Sequence, residues 1–132
     1  MAWEPKVVSA DDTPADRRRG GDVRTLLSPK TVGSTSGFMG MATIPSGDRI
    51  AEHYHPYSEE FVYVVDGTII AELDGVRQEV KARHALYIPI KVRHRLKNEG
   101  NRDATIVFHL GPLAPKPEWG HVDTEGSSGG SQ

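Results

Sequence analysis

The sequence predicts an all-β domain made of short antiparallel strands. Short apolar runs end repeatedly at turn residues, and no stretch of about a dozen residues shows the 3.6-residue periodicity of a helix. The pairs Asp66-Gly67 and Asp74-Gly75 separate runs rich in β-branched residues. Both central residues of a type I′ turn need positive φ, so Asp-Gly at these places is a strong hairpin signal. Several strands at near-regular spacing are typical of a β-sandwich or barrel.

The first predicted strand ends at Pro45-Ser46-Gly47, and the run Phe61–Val65 is apolar on both of its faces. One face of such a strand must line an interior, and the other must pack on a second sheet or a second subunit. We therefore expect a homodimer. The predicted strands are Phe38–Ile44, Phe61–Val65, Thr68–Leu73, Val76–Val80, Ala85–Ile88, Arg93–Lys97 and Ala104–Leu110.

The 132 residues suffice for one domain, with an N-terminal arm over 1–22, a barrel over 23–115 and a tail over 116–132. The triplet Arg17-Arg18-Arg19 in the arm is either an anion site or a solvated charged segment, and the second interpretation is favoured. The Gly/Ser-rich end from Glu125 to Gln132 is expected to be disordered.

Composition excludes several classes of protein. Without cysteine there is no disulfide framework, thiolate metal site or cysteine nucleophile. Sixteen basic and eighteen acidic residues give a net charge of −2, which argues against a nucleic-acid-binding surface. No window approaches the roughly 20 apolar residues of a membrane span. The stretch Met1–Gly20 also lacks the apolar run of a signal peptide, so we expect a cytoplasmic protein that does not bind membranes.

The histidines predict a metal site. His53 and His55 are two residues apart, and in a strand this spacing puts both imidazoles on one face, roughly 6.6 Å apart. Glu60 can face the same site if the chain bends before it, and Glu59 then points the other way. His94 and His109 are further imidazoles on later strands. Since cysteine is absent, any metal must be held by His, Asp or Glu.

The other histidines, His84 and His121, read as ordinary surface residues. Aromatic and apolar residues on the predicted strands are candidates to line an interior cavity, although the alternation of side chains points Tyr54 and Tyr63 away from the site. These candidates are Phe38, Met41, Tyr54, Tyr63, Tyr87 and Phe108.

Two spaced motifs resemble those of the cupin family. The segment Gly47-(five)-His53-x-His55-(four)-Glu60-(six)-Gly67 resembles the first cupin motif, and Pro89-(four)-His94-(three)-Asn98 resembles the second. Arg83 and Lys91 stand at positions of the second motif where the family usually has glycine. The resemblance covers roughly residues 25–115. It implies a double-stranded β-helix, or jelly-roll, barrel holding one divalent metal on His53, His55, Glu60 and His94.

A narrower resemblance links the chain to the small cupin cyclases of bacterial aromatic polyketide pathways, the tetracenomycin- and resistomycin-cyclase group. The similar residues lie in the runs Leu26–Gly40, His53–Phe61 and Phe108–Pro115. This resemblance implies a polyketide cyclase that promotes intramolecular aldol cyclisation and aromatisation of a poly-β-ketone. The substrate would be delivered by an acyl carrier protein, and His53, His55, His94 and Glu60 would act as catalytic residues.

The fourth metal ligand stays open at this point. Glu60 is the general cupin choice, whereas His109 lies in a run that resembles the cyclase group. We favour His109 as the ligand, with Glu60 as a further ligand or as a partner that orients an imidazole. Imidazole ligands suit zinc, which we expect, or nickel, iron or manganese.

Three other functions compete with the cyclase. A quercetinase-like cupin dioxygenase would need a redox-active metal and would consume oxygen. A non-catalytic small-molecule-binding cupin would bind its ligand without metal. A sugar or keto-acid isomerase would polarise a carbonyl on the same barrel, but in a polar cavity.

Overall fold

The computed structural model describes residues 3–125, which form two five-stranded antiparallel sheets. One sheet has the strand order β1-β2-β9-β4-β7 and the other the order β10-β3-β8-β5-β6. The elements are β1 (Asp22–Leu27), α1 (Pro29–Val32), β2 (Phe38–Ile44), β3 (Arg49–Tyr54), β4 (Glu59–Asp66), β5 (Thr68–Leu73), β6 (Val76–Lys81), β7 (Ala85–Ile88), β8 (His94–Lys97), β9 (Ala104–Gly111) and β10 (Val122–Asp123), with a 3-10 turn at Pro117–Trp119. The predicted all-β jelly roll is confirmed.

All seven predicted strands are present, and three more strands were not predicted. Two of these, β1 and β3, carry charged residues such as Asp22 and Arg49 and therefore lack a continuous apolar run. The third, β10, has two residues and is recognisable only by its pairing, which places Val122 opposite Tyr54 and Asp123 opposite His53. Sequence pattern alone does not report such short edge pairings.

The core lies between the two sheets and follows the two-residue period of the strands. Along β4, Val62 and Val64 are buried at 1% and 0% exposure, whereas Phe61 and Tyr63 on the opposite face are 48% and 40% exposed. The alternation means that β4 contributes aliphatic side chains to the interior and aromatic ones to the outside.

The two outer sheet faces differ in character. The face of the β5–β8 sheet carries charged pairs, in which Glu72 accepts from Arg95 at 2.7 Å and from Lys97 at 3.4 Å. The face of the β4–β9 sheet instead carries aromatic rings, with those of Phe61 and Tyr87 centred 5.6 Å apart. Only the charged face has the composition expected of a solvated sheet surface.

Several turn positions have left-handed backbone, and three of them bear on the cupin motifs. Arg83 and Lys91 adopt φ values of 70° and 69°, although they stand where the cupin family usually has glycine. These turns therefore keep the conformation that glycine favours, at a cost of roughly 1–2 kcal/mol for each non-glycine residue. Gly67, at φ 80°, also has no room for a Cβ atom, which would lie 2.8 Å from the carbonyl oxygen of Asp103.

The arm and the tail both contact the barrel. Asp16 forms a bridge with Val23, and the guanidinium of Arg19 donates to Asp123 at 2.7 Å. Arg17 and Arg18 pair with nearby acids as well, at 3.0 and 2.7 Å. The arginine triplet therefore neutralises carboxylates of its own chain, as expected of a charged surface segment.

The C-terminal segment predicted to be disordered falls largely outside the described residues. Its first residue, Glu125, accepts from Arg49 at 2.6 Å and from Arg95 at 2.7 Å. Residues 120–125 thus run across the β3–β8 edge of the barrel, held there by ion pairs and by β10.

No helix within residues 3–125 has the length and apolarity needed to cross a membrane. The cytoplasmic location stays a prediction.

Candidate metal centre

Four side chains converge at one point inside the barrel. The ligand atoms of His53, His55, Glu60 and His94 all lie within 4.8 Å of one another, and all four residues are buried. Such spacing suits a single metal ion with nitrogen and oxygen ligands. The structure therefore brings together residues from both predicted motifs.

Different elements supply these four residues. His53 near the end of β3 pairs directly with His94 at the start of β8. His55 lies just beyond β3, where its carbonyl accepts from the amide of Lys91 at 3.0 Å. Glu60 is on β4 and faces inward, whereas the neighbouring Glu59 accepts from Tyr87 at 2.6 Å on the outside. The predicted bend before Glu60 is confirmed.

Backbone carbonyls orient all three imidazoles. The Nδ1 atoms of His53, His55 and His94 lie 2.7, 2.9 and 3.0 Å from the carbonyl oxygens of Ala51, Gly120 and Val92. A carbonyl oxygen can only accept, so each Nδ1 carries the hydrogen and donates it. Each Nε2 is then left with its lone pair, which is the form that binds a metal.

Two atoms of the cluster have no hydrogen-bond partner. Among the described residues, Oε1 of Glu60 and Nε2 of His94 are buried and unpartnered. They lie 3.2 Å apart, and with Nδ1 of His94 protonated both are acceptors. Leaving buried acceptors unpaired costs about 1–3 kcal/mol each. A cation between them removes this cost, so the residues present fit a divalent metal.

The titration behaviour of the cluster is consistent with metal ligation. Burial lowers the pKa of His53 to about 3, and repulsion from His94 adds to the effect, so His53 is neutral near pH 7. Burial alone would raise the pKa of Glu60, but His55 and His94 outweigh it and hold that pKa below its usual range. Glu60 in turn raises the pKa of His94 despite the opposing effect of burial.

The structure does not bring His109 to this cluster, which corrects our preference for it as the fourth ligand. Its neighbours Phe108 and Leu110 are buried on the inner face of β9, so His109 points outward. There its ring stacks on that of Phe61 at 6.1 Å. Side chains alternate along β9, so His109 lies on the face opposite to Phe108 and Leu110, and their face is the one that lines the interior. Glu60 takes the fourth position.

His121 was wrongly interpreted as an ordinary surface residue. Its ring stacks on that of His53, with centroids 4.3 Å apart and planes inclined by 13°. Its Nε2 lies 2.8 Å from Oδ1 of Asp123, and burial lowers its pKa. No local motif marks this residue, since only the pairing of β10 with β3 brings it to the site. His84 is exposed, as predicted.

A cavity of about 150 Å³ leads away from the cluster, with walls that are mainly apolar. Of the predicted lining residues, Phe38 and Phe108 contribute to it, whereas Tyr63 and Tyr87 are exposed on the outer face. A wider chamber of about 510 Å³, bounded by residues such as Leu113 and Ala114, lies beside it. Thr25, Phe38, His55 and His121 line both spaces, and together they form what we call the neck.

Comparisons with known proteins agree with this architecture. The model of the family described as "Cupin domain" matches residues 40–110. The chain is 59% identical over 121 residues to the polyketide synthase protein CurC of Streptomyces cyaneus, covering 92% of this chain and 79% of CurC. It is 41% identical over 125 residues to the tetracenomycin polyketide synthase protein TcmJ of Streptomyces glaucescens, covering 95% and 83% of the two chains.

Among solved structures, the polyketide cyclase RemF of Streptomyces resistomycificus superposes with a TM-score of 0.72 at 19% identity, over 92% of this chain and 86% of RemF. At that identity the likeness concerns the fold. The sequence relatives carry the closer relationship, and with the spaced ligand motifs they show that this chain belongs to the cupin family, in the group that includes CurC and TcmJ.

Proposed function

We propose that this protein is a metal-dependent cyclase that promotes intramolecular aldol cyclisation and aromatisation of a poly-β-ketone in aromatic polyketide biosynthesis. One observation carries the proposal: a buried cluster of three imidazoles and one carboxylate opens into a cavity with mainly apolar walls. The relatives named as polyketide synthase proteins support a polyketide as the substrate, and the fold is one that a polyketide cyclase also has.

An aldol cyclisation needs no oxidant. A proton leaves a carbon next to one carbonyl, a carbon–carbon bond forms to a second carbonyl carbon, and the second carbonyl oxygen takes up a proton. Loss of water and enolisation of the remaining ring ketone then give the aromatic ring. Bound at the cluster, one divalent ion, zinc in our proposal, would polarise a carbonyl oxygen as a Lewis acid. His53, His55, Glu60 and His94 would hold it.

The protein's own residues confine the substrate. The inner cavity, at about 150 Å³, is below the 300–1,000 Å³ of sites for drug-sized ligands, so a long polyketide must also occupy the wider chamber. Apolar side chains of the wall, such as those of Phe38 and Phe108, exclude water and restrict the shapes into which the polyketide can fold. Holding the reacting carbons near contact can contribute several kcal/mol to the rate.

The acyl carrier protein is part of the proposal as the carrier of the substrate. Lys30 is an exposed cation on the wall of the wider chamber, where an acidic carrier would approach. Replacing Lys30 by glutamate should raise KM for the carrier-bound substrate more than it lowers kcat. The same change at the exposed Lys81, on the opposite side of the barrel in β6, is the matched control.

Reconstitution tests the function directly. A minimal polyketide synthase supplied with its carrier protein generates the poly-β-ketone in situ, and the products are separated by liquid chromatography and mass spectrometry. The zinc-loaded protein should direct the poly-β-ketone to one cyclised product, and it should consume no oxygen. The chelated protein and Glu60→Gln should yield the mixture of spontaneous products. An unchanged product mixture with the zinc-loaded protein would refute the cyclase, and oxygen uptake would favour the dioxygenase.

We also propose that the outer face of the β4–β9 sheet pairs with a second copy of this chain. Phe61, Tyr63, Val65 and Tyr87 are each at least 40% exposed there, whereas the corresponding face of the other sheet is charged. A groove beside Phe61 and Tyr63 is lined mainly by apolar residues together with His109, and no Asp, Glu, Lys or Arg side chain lines it. Such a face suits an uncharged partner surface, and an identical copy supplies one through two-fold symmetry.

A further inference from the structure

His121 occupies the neck between the inner cavity and the wider chamber. It is a wall residue of both spaces, and its ring lies flat on the ring of His53 at 4.3 Å. A substrate that reaches the cluster from the wider chamber must pass this ring. Among the residues shared by the two spaces, Phe38 is apolar and His55 belongs to the metal cluster, so His121 and Thr25 are the polar groups left to meet a substrate there.

A chain of three side chains determines the orientation of this ring. Oδ1 of Asp123 lies 2.8 Å from Nε2 of His121 and accepts from Nε of Arg19 at 2.7 Å. Arg19 lowers the pKa of Asp123 to about 2, so the carboxylate is ionised and can only accept. Nε2 of His121 must then carry a hydrogen, and in the neutral ring the lone pair is on Nδ1.

Nδ1 of His121 is free to meet a ligand. It makes no hydrogen bond to residues 3–125. It is not among the enclosed unpartnered atoms either, which are Oε1 of Glu60 and Nε2 of His94 in the described part of the chain. The atom is therefore accessible, on a ring that lines the neck, and it is a hydrogen-bond acceptor.

We propose that His121 is a substrate-binding residue whose Nδ1 accepts a hydrogen bond from an enol or phenol hydroxyl group at the neck, with Asp123 and Arg19 as positioning residues. The inference rests on the proposed function for the class of ligand, because folded poly-β-ketones and their aromatic products carry such hydroxyl groups. The walls on either side of the neck are mainly apolar, so a hydrogen bond to His121 favours substrates that place a hydroxyl group at the neck.

A pair of probes tests this contact without turnover. Binding of 1,8-dihydroxynaphthalene and of naphthalene to the zinc-loaded protein is measured by fluorescence titration. His121→Phe keeps a flat ring against His53 but has no acceptor. It should weaken binding of the dihydroxy probe about three- to tenfold and leave binding of naphthalene unchanged. His84→Phe, the same change at an exposed histidine, should affect neither probe.

Equal losses for both probes, no loss for either, or no binding of the dihydroxy probe to the wild type would each overturn the proposal. Should His121→Phe not fold, Asp123→Ala is the second variant, since the Asp123 side chain is 56% exposed. It should also weaken binding of the dihydroxy probe selectively.

Nuclear magnetic resonance gives a readout that a purely structural role would not change. A long-range ¹H–¹⁵N spectrum of the zinc-loaded protein should show the hydrogen of His121 on Nε2, and the Nδ1 resonance should move when the dihydroxy probe is added. Asp123→Ala should produce a mixture of the two tautomers. A hydrogen on Nδ1 in the wild type would refute the inference. Since neither measurement needs turnover, failure here is distinct from failure of the cyclase assay.

Discussion

Nε2 of His94 lies 3.2 Å from Oε1 of Glu60, and neither buried atom has a hydrogen-bond partner among the described residues. Both are acceptors, because Nδ1 of His94 donates its hydrogen to Val92. Two lone pairs facing each other at this distance repel unless a cation or a proton lies between them. This relationship is the physical basis for assigning the metal to this cluster and for choosing Glu60 over His109.

The metal content of two variants should show whether Glu60 or His109 is the fourth ligand. Glu60→Gln keeps the volume but removes the negative charge, so we expect affinity for zinc to fall about tenfold or more. His109→Ala should retain full occupancy because the ring lies on the outer face. Metal per chain after dialysis, measured by mass spectrometry, checks both. Full occupancy of Glu60→Gln with loss in His109→Ala would reverse the assignment.

Removing the metal should destabilise the protein. A ligand that binds only the folded state adds about 2.7 kcal/mol at a concentration one hundred times its dissociation constant. The chelated protein should therefore melt at a lower temperature, and added zinc should restore the melting temperature. In His94→Ala, added zinc should not raise the melting temperature. An equal increase in that variant would mean that the metal binds elsewhere.

Narrowing the wider chamber should alter the product and leave the metal in place. Ala114 is a wall residue of that chamber and is distant from the cluster residues in the chain. In Ala114→Phe, the phenyl ring that replaces a methyl group should reduce the volume available to the polyketide. The distribution of cyclised products should therefore shift. Zinc content should match that of the wild type. Unchanged products would show that the substrate does not use this chamber.

The aromatic face should control the oligomeric state. Placing a charge at its centre with Phe61→Lys should dissociate the dimer, because an unpaired charge at a buried interface is strongly unfavourable. Val76→Lys, at an exposed apolar position in the hairpin of the other sheet, is the control and should leave the dimer intact. Sedimentation velocity at micromolar concentration distinguishes them. A wild type that sediments as a monomer would contradict the proposal.

The contacts of Glu125 predict a dependence of stability on pH. Burial opposes ionisation, but the amide of Glu52 and the guanidinium groups of Arg95 and Arg49 lower the pKa of Glu125 to about 2. The folded pKa lies below the unfolded one, so the stabilisation is present above about pH 4.5 and is lost as the pH falls toward 2.

We therefore expect Glu125→Gln to lower the free energy of unfolding by about 1–3 kcal/mol at pH 7, and by much less near pH 3. Urea titrations at both pH values measure this difference. Glu118→Gln, at an exposed position of the 3-10 turn, should have no effect at either pH. An equal loss at both pH values would show that ionisation of Glu125 is not responsible.

Local chemistry accounts for the parts of the fold and site that were predicted correctly. Asp74-Gly75 forms the predicted hairpin between β5 and β6, with φ values of 47° and 81°, because the demand for positive φ is confined to these two residues. The hairpin predicted at Asp66-Gly67 is wrong, since β4 and β5 lie in different sheets and this turn connects the two. The spacing of His53, His55 and Glu60, together with His94 after its proline turn, likewise indicated a shared site. That information is contained in residue type and separation alone.

Other features depended on contacts between distant segments. Parity along β9 separated His109 from Phe108, but it could not tell which of them faces the interior, since that depends on the sheet packed against β9. His121 reaches the site only because β10 pairs with β3 and because Arg19, from the other end of the chain, pairs with Asp123.

The sequence by itself thus determined an antiparallel sandwich or barrel of short strands and three imidazoles suited to a metal, and its resemblance to the cupin family implied the jelly roll. Strand period and turn geometry are local properties, so they can be read without knowing the fold. The tertiary structure decided that Glu60 completes the cluster and that His121 forms the neck. Burial and long-range pairing arise only when the two sheets close on each other, and no single segment encodes them.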